Sequence, residues 1–363
     1  MNYDIVIVGA GPAGSTLARL LDQKYKILLL DKRNFIDKHQ KCCGGLLAPD
    51  AQKIMAQLGL ALPKEVMVNP QMFSVKCEDL DNNMVRYYQR HYLNIDRKLF
   101  DKWLLSLMPN NVDIRLNALY KSCNRSQKSI EIKFRQDGKS VKVNSKILVA
   151  ADGATSSIRN RIIAKHKQPD LYISLQNWYE TTQKLPYFVS VFDESITDFY
   201  SWIIPKKGFA IVGTALKSHS NCQKNYNNLI EKLKNRGYIF NNCVKTEGTW
   251  IMRPRQLKQL NLYQNNIAFV GEAAGFISPS SAEGISYALK SAAILVKSLN
   301  KSLDNFGNIY QRNTAKLRLN ILLKNNKLKL MYNKYTRKMI MKTGVLSMKL
   351  AEESKFDLLS SIS

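Results

Sequence analysis

Six residues close to the amino terminus, Gly9-Ala10-Gly11-Pro12-Ala13-Gly14, have the GxGxxG spacing that brings a backbone against a pyrophosphate. They follow the unbroken apolar run Ile5-Val6-Ile7-Val8 and open a helix expected over Ser15 to Leu21. A second strand, Lys26 to Leu30, then ends at Asp31. In that order each glycine has a task. Gly9 allows the tight turn, Gly11 lets the backbone approach the phosphates, and Gly14 lets the helix close on the strand. The helix start offers free N–H groups and the positive end of its dipole. Asp31 is placed to accept from a ribose hydroxyl, with Lys32 beside it as a further candidate contact. A carboxylate there disfavours a 2′-phosphate, so the nucleotide expected is of the FAD or NAD type.

Three later segments favour FAD. Ala151-Asp152-Gly153 follows the apolar strand Ile147 to Ala150, and Gly271-Glu272-Ala273 follows Ile267 to Val270. Arg97 opens a helix that Asp96 can cap, within reach of a phosphate. In this order and separation the segments resemble the flavoprotein superfamily of p-hydroxybenzoate hydroxylase and geranylgeranyl reductase. That pattern normally has Gly-Asp in its third segment; here Gly271-Glu272 carries one more methylene.

The closer resemblance is to the geranylgeranyl reductase family. Lys41-Cys42-Cys43-Gly44-Gly45 is similar to its Cys-Gly-Gly loop, with Cys43 at the matching position. Tyr200-Ser201-Trp202-Ile203-Ile204-Pro205 is similar to its Tyr-x-Trp-x-Phe-Pro pocket motif, with Ile204 replacing the aromatic. Within the family the chain is most similar to the CbrA-type bacterial flavoproteins. The likeness rests on CGGLLAPDAQ from Cys43, NPQMFSVK from Asn69, YQRHYLNIDR from Tyr88 and GEAAGFISPSSAEGISYAL from Gly271, and runs from Asp4 to about Gly344.

The resemblance implies an FAD-dependent oxidoreductase that reduces carbon–carbon double bonds of an apolar, isoprenoid-like substrate. Gly284-Ile285, at a helix start, would meet the flavin N1–C2=O edge, with Pro279 and Ser280 lining the ring face. Cys43 would donate a proton or act as a redox-sensitive thiol. Tyr200 and Trp202 would line the substrate pocket, or pack within a sheet. His39 and His91 have no geometric claim to catalysis. FAD is expected to be held non-covalently. There is one complete dinucleotide fingerprint and no CxxC, so NAD(P)H or another reduced carrier would bind transiently. Two other readings stay open: a monooxygenase on the same scaffold, and a membrane-associated protective or regulatory flavoprotein with low turnover.

The elements that must position these residues point to an α/β fold. Residues 1–170 and 250–300 read as a discontinuous Rossmann-like FAD domain. Residues 171–249, with short β-prone runs such as Tyr187 to Phe192 and Phe209 to Val212, read as an inserted antiparallel substrate sheet. Residues 301–363 read as a basic helical region. Its leucines are interleaved with Lys and Arg, and helices packed on the body with lysines in water are favoured over membrane contact.

At 363 residues the chain can bury a sizeable core, and its net charge of +27 points to phosphate-bearing partners or to a merely solvated surface. An anionic membrane would suit the basic region; no specific nucleic acid is expected. The cysteines at 42, 43, 77, 123, 222 and 243 form no metal pattern or dense disulfide framework. Nothing before Ile5 resembles an export signal, and no apolar run reaches the ~18–20 residues of a membrane span. The expected location is the reducing cytoplasm, with peripheral attachment at the inner membrane face a further possibility.

Overall fold

The computed structural model describes residues 1–34, 41–126 and 129–344; His39 and the end of the basic region, 345–363, lie outside the described residues. The chain opens with β1 (Asn2–Val8), α1 (Pro12–Leu20) and β2 (Ile27–Leu30), a parallel βαβ unit. The short β3 (Leu46–Leu47) and α2 (Pro49–Gln57) precede the hairpin of β4 (Met72–Asp79) and β5 (Met84–Asn94) and then α3 (Arg97–Ser106). Next come β6 (Val112–Arg115), β7 (Ala118–Arg125), β8 (Ile130–Gln136), β9 (Lys139–Ala150) and α4 (Ser157–Ile162). The following stretch holds β10 (Asp170–Glu180), β11 (Phe188–Phe192), β12 (Ser201–Lys206), β13 (Phe209–Lys217), α5 (Cys222–Asn235) and β14 (Cys243–Arg253). After β15 (Tyr263–Gln264) and β16 (Ile267–Phe269) the chain is helical: α6 (Ile285–Lys301), α7 (Phe306–Asn313), α8 (Ala315–Met331) and α9 (Lys334–Thr343).

The first sheet runs β15-β16-β9-β1-β2-β6, with β8 and β7 added on β9. Strand β9 shows how residue pattern sets surroundings. Its first half, KSVKVNSK, alternates and pairs antiparallel with β8, one face in water. Its last four residues, Ile147-Leu148-Val149-Ala150, are all buried between β1 and β16 in parallel register. Helices α1 and α6 pack together over this sheet, and their Leu17, Ala18, Leu295 and Leu299 join its core.

The second sheet runs β14-β10-β13-β12-β11-β4-β5-β3. Two expectations shift here. The sheet takes residues from β3, β4 and β5, so the boundary expected at 171 divides it. It is also mixed, because β11 pairs parallel with β4. The reason lies in β11: all of Phe188-Val189-Ser190-Val191-Phe192 is buried, so the strand needs a neighbour on each edge, β12 on one side and β4 on the other. One face packs on Leu229 and Leu233 of α5. The other carries Tyr172, Phe188, Trp202, Ile204 and Ile211.

Helix α9 leaves the first sheet and docks on the β4–β5 hairpin. Arg337 is 2% exposed and pairs with both oxygens of Asp79, at 2.7 and 3.0 Å, and with Asp81 at 2.6 Å. Arg86 of β5 donates to the Met341 carbonyl at 2.5 Å. Breaking a buried pair leaves an uncompensated charge, so Arg337→Met should lower unfolding free energy by about 3 kcal/mol. Urea titration of the holoprotein checks this; a change too small to resolve would mean that the pair does not anchor α9.

Candidate active site

The glycine turn is built by close approach. A methyl on Gly9, whose φ is +109°, would lie 2.4 Å from the Ala151 carbonyl oxygen, and one on Gly14 would lie 1.8 Å from the Gly9 carbonyl oxygen. Both positions therefore exclude a side chain. At Gly11 the same methyl would meet nothing within 4 Å, so space opens beyond the turn. No side chain caps α1. Its first i→i−4 bond runs from Ser15 N to Gly11 O, which leaves the amides of Ala13 and Gly14 ahead of the helical ladder. Pro12, at the first helical position, lacks an N–H to orphan.

Two further motifs converge on this turn. Asp152 lies just past the end of β9, after Ala151, and its Oδ1 is buried with no hydrogen-bond partner among the described residues. Burial holds that carboxyl above the usual carboxylate range, against the Ser156 and Ser157 donors that favour the charge. Gly153 adopts φ +79°. Gly271, with φ +59°, packs so that a methyl there would lie 2.9 Å from Ala13 Cβ, which sets the third motif against the start of α1. An amide cradle with open space, an orphaned acceptor and glycines where the backbone closes up fit a bound dinucleotide.

Asp31 differs from its expected role. It is buried; Oδ2 accepts from Ala10 N at 2.7 Å and from Arg33 Nη2 at 2.9 Å, and Oδ1 from Arg33 N and Nε. Lys32 is exposed, and the cation that engages Asp31 is Arg33. Arg33 continues to Asp101 at 3.0 Å, and Asp101 also takes Arg97 at 2.9 Å. Arg97, expected at a phosphate, directs its guanidinium to Asp101, with Cys43 close enough to favour its charge. Burial works against its charge, but Asp101 and Cys43 outweigh that and hold it above the usual arginine value.

The loop 41–45 spans the two sheets. Lys41 Nζ donates to Glu272 Oε2 at 2.8 Å, while Glu272 Oε1 accepts from Met252 N of β14. The third-motif carboxylate is therefore paired by the chain itself, its extra methylene reaching Lys41. At the far end of the loop, a methyl on Gly44 would lie 2.2 Å from Ile204 Cδ1, so the loop closes directly on that side chain and a larger residue would have to displace it. Cys43 Sγ accepts from Gly45 N at 3.4 Å and lies beside the Arg97 guanidinium. Its neighbour Cys42 is buried against Ser174, and burial pushes that thiol well up.

Lys206 supports this loop from β12. It is 6% exposed and donates to the carbonyls of Ile95 and Gly45 and to Asn94 Oδ1, with no carboxylate among these partners. Burial brings its ammonium down to about 8, despite the favourable charges of Cys43 and Asp96.

Residues from the second sheet, its approach and the C-terminal helices act on the loop before α6. Tyr200 donates to the Ser281 carbonyl at 2.8 Å, Tyr332 donates to the Ser280 carbonyl at 2.8 Å, and Arg253 Nε donates to the Pro279 carbonyl at 3.2 Å. The Arg253 guanidinium is fully buried, 4.0 Å from the Phe199 ring centre and 4.9 Å from that of Tyr332. Trp202 stacks its indole over Gly213, and its buried Nε1 has no hydrogen-bond partner among the described residues. Gly284 caps α6 without a side chain. Ile285 follows, and the Ser286 amide is already taken by Glu283 at 2.8 Å. Sequence reasoning missed Arg33, Lys41, Lys206, Arg253 and Tyr332. Arg33 and Lys41 lie within or beside recognised motifs and were findable; the others meet the site only across the fold.

Residues 2–308 match the family model described as FAD binding domain. Protein CbrA of Escherichia coli O6:H1 (strain CFT073) is 40% identical over 346 residues, covering 95% of this chain and 94% of that protein. Among solved structures, a geranylgeranyl bacteriochlorophyll reductase-like protein from Thermoplasma acidophilum superposes with a TM-score of 0.81 at 19% identity, covering 97% of this chain and 94% of that one. PqsL of Pseudomonas aeruginosa, a probable FAD-dependent monooxygenase, gives a TM-score of 0.69 at 16% identity, covering 94% of this chain and 100% of its own. At these identities the two structures establish the shared fold.

Two outcomes follow from the geometry. Gly11→Val puts a side chain into the open space and should strip flavin absorbance from the purified protein while leaving apoprotein unfolding nearly unchanged. Gly14→Ala should instead destabilise the apoprotein itself. Equal effects on flavin content and apoprotein stability in both would contradict the cradle. For Lys206, a depressed native value means that above about pH 8 the native state holds fewer protons than the unfolded state, up to the ordinary lysine value of 10.5. Its penalty is full below that window and fades as pH rises. Urea midpoints from about pH 7 to about pH 10 should therefore show this rising contribution in the native chain and its absence in Lys206→Met.

Proposed function

This chain belongs to the FAD-binding-domain flavoenzymes, in the company of CbrA, and from that premise we propose that it reduces a carbon–carbon double bond of an apolar, isoprenoid-like substrate with electrons from NAD(P)H. The observation that carries this reading is the seating of the Cys43 loop. It joins the cofactor motifs, through Lys41 and Glu272, to the apolar face of the second sheet, through Gly44 and Ile204.

That face suits a hydrocarbon. Phe188, Trp202 and Ile204 are buried in it, and Leu46, Tyr88, Tyr92 and Trp178 are half-buried around them. When bound, FAD supplies the hydride that one alkene carbon accepts, and NAD(P)H restores it. Cys43 Sγ gives the proton to the other carbon and regains one from water. The charge left on sulfur meets the Arg97 guanidinium, itself held by Asp101. Tyr200, Tyr332 and Arg253 keep the loop of Pro279 to Ser281 still while the substrate sits against it.

Anaerobic turnover with NAD(P)H and a geranylgeranyl lipid tests the reading. Native protein should form a saturated product, and Cys43→Ala should lower that rate by about 100-fold at unchanged FAD content. Cys43→Ser should recover part of it. Product carrying labelled oxygen from air would assign the site to oxygen transfer instead. Flavin that no donor reduces would leave a low-turnover binding protein.

A further inference from the structure

Helix α8 has two apolar faces. Leu317, Ile321 and Leu328 are buried against the body. Leu319, Leu322, Leu323 and Leu330 are exposed, at 53%, 36%, 57% and 48%. At ~100° per residue the exposed four fall within an arc of roughly 100°, centred opposite the buried three. Packing on the protein accounts for one stripe and leaves the other in water. Single exposed leucines are ordinary; four gathered on one face, with only the uncharged Asn326 and Ala315 among them, are not.

The polar residues bordering this stripe carry one sign of charge. Lys316 and Lys327 flank it on one side and Lys329 on the other, all exposed. Arg318 lies beside Lys329 on the wheel. Lys324 turns toward the body, its ammonium 5.1 Å from the centre of the Tyr287 ring. From Asn305 to Gly344 there is no Asp or Glu. Helix α9 extends the surface with exposed Tyr335 and Met339, and with exposed Lys338 and Lys342 beside them.

We propose that the outer face of α8, continued onto α9, docks on the surface of an anionic lipid bilayer. The leucines would enter the headgroup–acyl boundary while the flanking lysines reach the phosphates. The arrangement disfavours a second copy of the chain as the occupant, since pairing this face with itself would bury like charges together without an acid between them. It also disfavours spanning: no described helix is long and apolar enough to cross a membrane. The docking surface stands independently of the reaction assigned above. Its helix nevertheless ends at Tyr332, which turns toward the body and holds the Ser280 carbonyl.

Flotation of the flavin-loaded full chain with phosphatidylcholine vesicles, with and without phosphatidylglycerol, tests the proposal. Binding should require phosphatidylglycerol and weaken as salt rises. The triple variant Leu319→Ser, Leu322→Ser, Leu323→Ser should bind at least about tenfold more weakly, with FAD content and solution mass unchanged. Charge reversal by Lys316→Glu, Lys327→Glu and Lys329→Glu should do the same. Failure of the native chain to float, or equal flotation of the serine variant, overturns the proposal. So does a serine variant that turns a dimer into a monomer without affecting vesicle binding, which would give the face to a second copy.

Discussion

The glycine turn of the cofactor half closes up where a side chain cannot exist. Helix α1 approaches the end of β9 because Gly9 and Gly14 have no Cβ, and that approach decides where its first amides point. Were the helix held off by a methyl, the open space beyond Gly11 would no longer lie over those amides. Asp152 and Gly271 reach the same place only because β9 and the third motif pack onto this turn. The anion-binding character thus comes from backbone, and the side chains around it hold that backbone in position.

Charge is used in the same supporting way. Asp31, Arg33, Asp101 and Arg97 form a chain of alternating sign running from the glycine turn to Cys43. Each carboxylate in it is buried and each is met by at least one guanidinium, which is the condition for keeping charge out of water. One end holds the glycine turn and the other ends at Cys43, so these two segments share a rigid connection. Lys206 and Arg159 differ, being buried cations that rest on carbonyl groups, and burial lowers the proton affinity of both.

The active site lies between sheets that are assembled from distant stretches of chain. The loop before α6 is held by hydrogen bonds from Tyr200, Arg253 and Tyr332, which come from β12's approach, the end of β14 and the segment between α8 and α9. The C-terminal helices therefore take part in shaping the site. They also leave a second apolar stripe outward, which is why α8 does not read as a simple one-sided helix.

Local pattern made much of this legible. The GxGxxG turn, the apolar strands at Ile5, Ile147 and Ile267, and the Asp96 cap on α3 each depend on neighbours a few residues away, and short-range sterics and hydrogen bonding are written in the order of residues. The motif resemblance likewise brought Cys43, Tyr200 and Trp202 to notice. What order along the chain does not carry is competition for partners. Whether Asp31 meets a ribose or Arg33, whether Arg97 meets a phosphate or Asp101, and whether Glu272 stays free or takes Lys41 depends on which groups the fold brings within about 3 Å. The same holds for the membership of β4 and β5 in the second sheet, and for the two faces of α8, one covered and one bare. That strand membership and those two faces were settled by packing, because burial and pairing are properties of contacts between segments far apart in the chain.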